Sequence, residues 1–456
     1  MAGRTFEMTK DRARHENSSP QFPARFSSQQ SSRGNTGVSP SGSLTDPLVQ
    51  DLNHASRKYL FYFASDVCGD FVLYDMPKHN PFRELIPLTH QHPVLLHIII
   101  ANSALHMSNA CQKSFALDAA GFPLRHRTSL PGSPCSSSSA MQQLEYHNDA
   151  LAAKQRALHL LKTALTSISS ADIDVTLAVV LLFIEFELID SGRDNWRYHI
   201  NGARSIIATL FDILGSTFAC SIGLVPRDTF STGALSLLQD AEGNHCSSFP
   251  TILLQLMRSG AQLSQPNHPS SPLYSATGSK QQQALLLLYA AQSFDPLAWA
   301  INLQPRSPAT DLLHRTHVAS AHRAAVCIYL SRVLLSLYPT TPLSHELESL
   351  VADIITHLSF IRPSDALFTA TTWPAFIAGA ETNDGTRQEW VARRFQELWE
   401  VEPWGLIRGA LGVLERIWMG RSGVVVNGEG TPLRGKKGDG DWIGDLRGRG
   451  VDWLIL

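Results

Sequence analysis

Cysteine is sparse in this chain of 456 residues. Its six copies stand at 68, 111, 135, 220, 246 and 327, the nearest two 24 positions apart, so no CxxC pair and no short Cys/His ligand cluster exists. The stretch after Met1 lacks the apolar run of a secretory signal. That leaves cytosol or nucleus as the expected compartment and makes the Asn17-Ser18-Ser19 sequon empty. Glu7, Asp11 and Glu16 weigh against a mitochondrial presequence. Net charge is lacking too. At −2 overall, with a pI near 6.8, the chain exerts no global pull on nucleic acid or an anionic membrane. No membrane association is expected, because the longest apolar run, residues 175–189, is short of the roughly twenty residues of a span and contains Glu185 and Glu187. The nucleophile elbow GxSxG, the zinc signature HExxH, the phosphate loop GxxxxGKS/T and a strand-borne GxGxxG are all absent.

What the chain does have is apolar material. With 43% hydrophobic residues over 456 positions, one large or two smaller domains are expected. Residues 1–45 are rich in Ser, Gly and Gln, with six Arg/Lys against three Asp/Glu, and read as a disordered basic arm. From Thr45-Asp46-Pro47 the composition changes, and residues 46–456 read as one all-α unit. Helices are predicted over 52–63, 94–109 after Pro93, 144–168, 282–291, 295–303, 311–337, 344–361 capped by Ser344, 373–380, 386–401 and 403–419, the last stopped by Gly420. The helix over 144–168 carries an apolar stripe of Leu151, Leu158, Leu161 and Leu165. That over 311–337 carries Leu312, Thr316, Ala319, Val326, Leu330, Val333 and Leu337. Residues 212–280 form a loop-rich middle, and 421–450 a Gly-rich flexible segment. No alternating strand series appears, so the class is all-α, a multi-helix array.

The array is organised around residues 172–210. Asp172 and Asp174 suit a helix N-terminus, the run from Val175 to Ile189 is apolar on every side, and Ser191-Gly192 breaks it. A second helical run with Trp196, His199 and Gly202-Ala203 follows, giving a central buried helical hairpin.

Candidate chemistry is thin. His97 and His106 are nine apart, about half a turn round a helix, and cannot share an ion. His314 and His317 could share a face, but no third ligand stands at a helical spacing that would close a site. Glu185 and Glu187 point in different directions, and Asp190 to Asp194 reads as a turn. No catalytic, cofactor or metal residue is expected. The basic stretches, the arm and Arg434 to Lys437 with Arg447 and Arg449, are diluted by serine or by Asp439, Asp441 and Asp445, and read as solvated segments. Trp373, Phe376, Trp390, Phe395, Trp399, Trp404 and Trp418 fall at helical spacing and read as core.

Taken in order, several stretches resemble the regulatory domain of the fungal binuclear zinc cluster transcription factors. They are Tyr59 to Phe63, Asn80-Pro81-Phe82-Arg83, the helix from Pro93 with Ala101 and Ala104, and Glu187 to Gly192 with Trp196, His199, Gly202 and Ala203. Further on come Trp373-Pro374 through Glu381, Arg387, Trp399, Pro403-Trp404, Trp418 and Asp452-Trp453. The resemblance covers about nine-tenths of the chain. The family's zinc cluster, with two CxxC pairs, has no counterpart, because Cys68 already lies inside the regulatory domain. Zinc is therefore expected only with a zinc cluster upstream of Met1, omitted from the gene model or lost.

The resemblance implies a nuclear regulator of RNA polymerase II transcription. Its partners would be the transcription machinery or co-regulator proteins, with a dimer an open alternative and DNA reached only through a partner or an N-terminal module. The rival readings are a helical interaction scaffold without a transcriptional role and an all-α enzyme. Tight, sequence-selective DNA binding by the purified chain alone would refute the absence of a reader.

Overall fold

The computed structural model describes residues 49–76, 80–112, 137–165, 173–193, 195–200, 242–263, 280–343, 346–421, 424–426, 432–434 and 442–443. The arm 1–45, Ser344, and Gly202 with Ala203 lie outside these. The described residues all belong to one compact unit, Pro47–Leu456.

The first half begins with α1, His54–Tyr62, whose N-terminus is capped by Asn53 accepting from the Ser56 amide at 2.8 Å. The helical path continues through a π turn, Phe63–Val67, into α2, Cys68–Asp70. A short α3, Pro81–Glu84, and a 3-10 turn, Ile86–His90, lead into α4, Pro93–Ala110, with proline in the first turn where its missing N–H is harmless. Next come α5, Ser137–Ala164, and α6, Ile173–Asp190. α4 packs against both of them. Its Asn102 donates to the Leu182 carbonyl at 2.9 Å, and Asn109 donates to the Ile189 carbonyl at 2.8 Å.

α6 is buried along its length, with Val179, Leu182, Phe183, Ile184, Phe186, Leu188 and Ile189 all shielded from solvent. It ends as the sequence predicts. Gly192 adopts a left-handed φ of 67° and its amide donates back to the Glu187 carbonyl at 2.7 Å. The chain then turns into a helical segment that buries Trp196 and Ile200.

α5 corrects the expected leucine stripe. Its buried face is Tyr146, Ala150, Ala153, Ala157 and Leu161, whereas Leu151, Leu158 and Leu165 are 46%, 40% and 43% exposed. The face toward α4 is mostly alanine, which permits close approach of two backbones. A reading that ranks side chains by size therefore selects the wrong face.

The second half contains α7, Thr251–Leu263; α8, Lys280–Gln292; α9, Pro296–Leu303; α10, Leu312–Leu337; α11, Leu347–Leu358; α12, Thr372–Glu381; α13, Gly385–Val401; and α14, Gly405–Arg421. α11 starts after Glu346, and α14 runs through Gly420 instead of stopping there. Strands Val424–Val426 and Pro432–Arg434 pair antiparallel, Val425 opposite Leu433. The all-α class stands.

α10 is the hub of this half and touches α7, α8, α9, α11 and α12. It is long and apolar enough to cross a membrane by length and composition, yet 83% of its apolar window is buried inside the protein. A core helix fits that burial. The expected single stripe fits only in part, since its first member Leu312 is exposed while Val318, Ala321, Ala325 and Ile328, off that stripe, are fully buried.

Candidate functional site

The residues singled out by pattern are distributed over the structure as joints. At the first joint, Asn80 is buried and caps α3, its Oδ1 accepting from the Phe82 amide at 3.0 Å. Its Nδ2 donates to the Cys68 carbonyl at 2.6 Å and to Asp75 Oδ1 at 3.0 Å. Pro81 occupies the first helical position. Arg83 closes the turn with a two-pronged ion pair to Asp75, Nε donating to Oδ1 at 2.7 Å. Hydrogen bonding from Arg83 holds the Asp75 carboxyl below its usual range.

The second joint lies on α6. Glu187 is 1% exposed and would be an unpaired buried charge without help. Lys154 from α5 donates to its Oε1 at 2.6 Å, and His199 Nε2 stands 3.2 Å from the same oxygen. The His199 ring stacks on Phe183 with 13° between planes and 5.1 Å between centroids, and Lys154 lies over Phe186. Although burial works against it, hydrogen bonds from His199 and Lys154 hold the Glu187 carboxyl below its ordinary value. Trp196 is buried three residues before His199. This is a clasp between α5, α6 and the arm after Gly192.

The third joint brings the halves of the chain together. Trp404 packs edge-on against Phe71 at 5.8 Å, and Phe71 in turn meets Phe82 at 4.6 Å. Gly405 sits so close to the end of α6 that a Cβ there would lie 1.8 Å from the Asp190 carbonyl oxygen. Beside this contact a cavity of about 30 Å³, room for roughly one water, is lined by Cys246, Glu402 and Trp404. Burial raises the Glu185 carboxyl to about 8. Burial, then Asp70 and Glu185, push Glu402 well above the carboxylate range. Burial, then Glu185 and Glu402, also raise the Cys246 thiol. Two carboxyls that the sequence places far apart are thus buried near enough to act on each other, each favouring its protonated form.

The fourth joint lies on α12. Trp373 is buried against Phe249 at 5.2 Å and stacks on His322, and Pro374 sits in the helix's first turn. At the other end Glu381 accepts Arg332 in a two-pronged ion pair and the Trp442 indole N–H at 3.0 Å. Arg421 donates to the Ala380, Glu381 and Thr382 carbonyls, closing the helix C-terminus. Arg387 pairs with Glu348 and donates to its backbone carbonyl at 2.9 Å, tying α13 to α11.

Comparison with known proteins gives these joints their context. Residues 58–239 and 243–454 match the family described as fungal specific transcription factor domain. The chain belongs to that family. It is also 31% identical over 408 residues to the acriflavine sensitivity control protein acr-2 of Neurospora crassa, a match covering 82% of this chain and 64% of that protein. The chain thus spans less than two thirds of the length of this relative. No solved structure matches.

Within this fungal specific transcription factor domain, the pattern residues with described positions make folding contacts and converge on no reaction centre. Sequence reading missed several. Arg315 is fully buried and donates to Asp311, Ser248, Ser307 and the Gly243 carbonyl. Tyr74 reaches the same Asp311 from the first half at 2.5 Å. Trp442 is 1% exposed although it stands in the Gly-rich segment. An isolated Trp-Ile pair among glycines is the signal that identifies it in retrospect. A more open cleft of about 450 Å³ lies where α4 and α6 end and α5 begins, lined by Ser108, Asn109, Gln112, Gln143, His147 and Asp190.

Proposed function

We propose that this chain regulates transcription by RNA polymerase II in the nucleus. It acts through protein contacts made by its all-α regulatory domain with the transcription machinery or co-regulators. DNA is reached through a partner or through an N-terminal module. The observation that carries this reading is the family match over 58–239 and 243–454, within one compact helical unit.

The test is a reporter assay in a fungal host, with the chain fused to an unrelated DNA-binding module and tagged for imaging. Nuclear signal with a changed reporter level supports the proposal. A chain excluded from the nucleus, or nuclear and silent in both activation and repression formats, refutes it. The relative's name concerns control of acriflavine sensitivity. Growth of a deletion strain on acriflavine is therefore the first phenotype to score.

A further inference from the structure

The leucines of α5 that the core leaves out stand in strict order. Leu144, Leu151, Leu158 and Leu165 follow one another at intervals of seven and are 56%, 46%, 40% and 43% exposed. Met141, three residues before the first, is 70% exposed. Leu165 still belongs to the row, because its amide donates to the Leu161 carbonyl at 2.9 Å. The row lies away from the core, since Tyr146, Ala150, Ala153 and Ala157 hold the buried side. Single exposed leucines are ordinary. Leucines repeating every seven residues over roughly 30 Å of helix form the seam of a coiled coil, which keeps facing a second helix.

With the leucines in the d positions, the a positions are Met141, Asn148, Gln155 and Lys162. Their chemistry selects how a second α5 would lie. In a parallel pair each a residue meets its own copy, so Lys162 would face Lys162 and each amide would face itself. In an antiparallel pair a meets d, and every layer then contains a leucine. Met141 would meet Leu165, Leu144 would meet Lys162, Asn148 would meet Leu158, and Leu151 would meet Gln155. The Lys162 stem can cover Leu144 while its ammonium stays in water. The flank agrees. Glu145, exposed beside Leu144, would lie next to the exposed Lys162 and His159 of the second copy. By two-fold symmetry the same opposite charges meet at both ends of the seam. The face is thus complementary to itself, as an isologous contact between copies requires.

We propose that two copies of this chain join through the exposed face of α5, antiparallel, across a two-fold axis. Three polar residues among four a positions keep the contact weak, at the micromolar end of the range for protein pairs. The proposal is independent of the regulatory reading and stands or falls separately from it.

Sedimentation velocity on the full chain, from about 1 to 100 μM, should show monomer passing into dimer. Leu151→Glu combined with Leu158→Glu should hold the chain monomeric throughout, with its circular-dichroism spectrum unchanged because both positions lie outside the core. Leu286→Glu on α8, where Leu286 is 61% exposed, should leave dimerisation as it was. Charge exchange reads the orientation. Glu145→Lys and Lys162→Glu should each weaken the dimer roughly 2- to 30-fold, two surface pairs being lost, and the two changes together should restore it. In a parallel pair Glu145 and Lys162 would stand about 25 Å apart, and the exchange would restore nothing. Should the double leucine variant lose helical signal, the charge-exchange series carries the test. A chain monomeric at every concentration, a folded double leucine variant that still dimerises, or a dimer indifferent to the charge exchange overturns the proposal.

Discussion

Replacing Glu185 by glutamine tests this buried pair of carboxyls directly. Glutamine keeps the size of the protonated acid but cannot ionise. In the folded chain Glu185 titrates at about 8, raised by burial from an ordinary 4.5. Glu402 and Cys246 are its titratable neighbours, and Asp70 acts on Glu402 in turn. The folded state therefore holds a proton that the unfolded chain has released. Its contribution is fully present below the ordinary carboxylate pKa. It is lost progressively as pH rises, and gone above about 8. Each tenfold gain in proton affinity on folding is worth ~1.4 kcal/mol, so wild type should lose on the order of 3–5 kcal/mol across this window. Urea midpoints at about pH 5, 7 and 9 measure it. Glu185→Gln should match wild type near the acid end and exceed it increasingly toward alkaline pH. Glu402→Gln should flatten part of the same profile, because the two carboxyls oppose each other's ionisation. A difference constant with pH, or a glutamine variant weaker at the alkaline end, would show that Glu185 is ionised and paired, and the argument would fail.

Other substitutions test the remaining joints. Gly405→Ala should lower stability by about 2 kcal/mol or more, because the new Cβ meets backbone that has no room to retreat; an unchanged chemical-denaturation midpoint would remove the close approach to Asp190. Lys154→Ala should cost about 2–4 kcal/mol by leaving Glu187 buried with His199 alone, read from thermal melts, while Lys154→Arg should recover part of that loss. Asn80→Ala removes a cap and strands the Cys68 carbonyl, so about 1–2 kcal/mol should go; hydrogen exchange at Phe82 and Arg83 should accelerate with it. Trp442→Ala should cost roughly 3–5 kcal/mol, in the range for truncating a buried aromatic, and if melting is unaffected the indole does not anchor this segment.

Periodicity carried the reading of α6, α12 and α13, because each is buried or amphipathic in a way that apolar residue type alone reports. Gly192 was legible for the same reason, since a left-handed cap strongly favours glycine. α5 was not. Its packing face is written mostly in alanines, and of the four leucines in the expected stripe only Leu161 is buried. The site-level contacts escaped for a different reason. Glu185 with Glu402, His317 with His357 and Tyr74 with Asp311 join residues distant in sequence. A one-dimensional spacing argument sees pairs one or two turns apart and no further. Trp404 and Glu381 were flagged as family pattern, but which residues they meet, Phe71 for one and Arg332 and Trp442 for the other, only the tertiary structure supplies.

The contact between Trp404 and Phe71 also sets a timetable for birth. These residues are 333 positions apart. At the usual pace of synthesis the ribosome needs roughly 20–70 s to travel from one to the other. Throughout that interval Phe71 awaits its partner, and over the last 214 positions of it the end of α6 at Asp190 waits as well. A nascent chain of this kind presents an apolar seam to the cytosol for as long as its second half is missing. Exposed apolar surface of this kind is what makes a partly made chain aggregation-prone until Trp404 and Gly405 arrive.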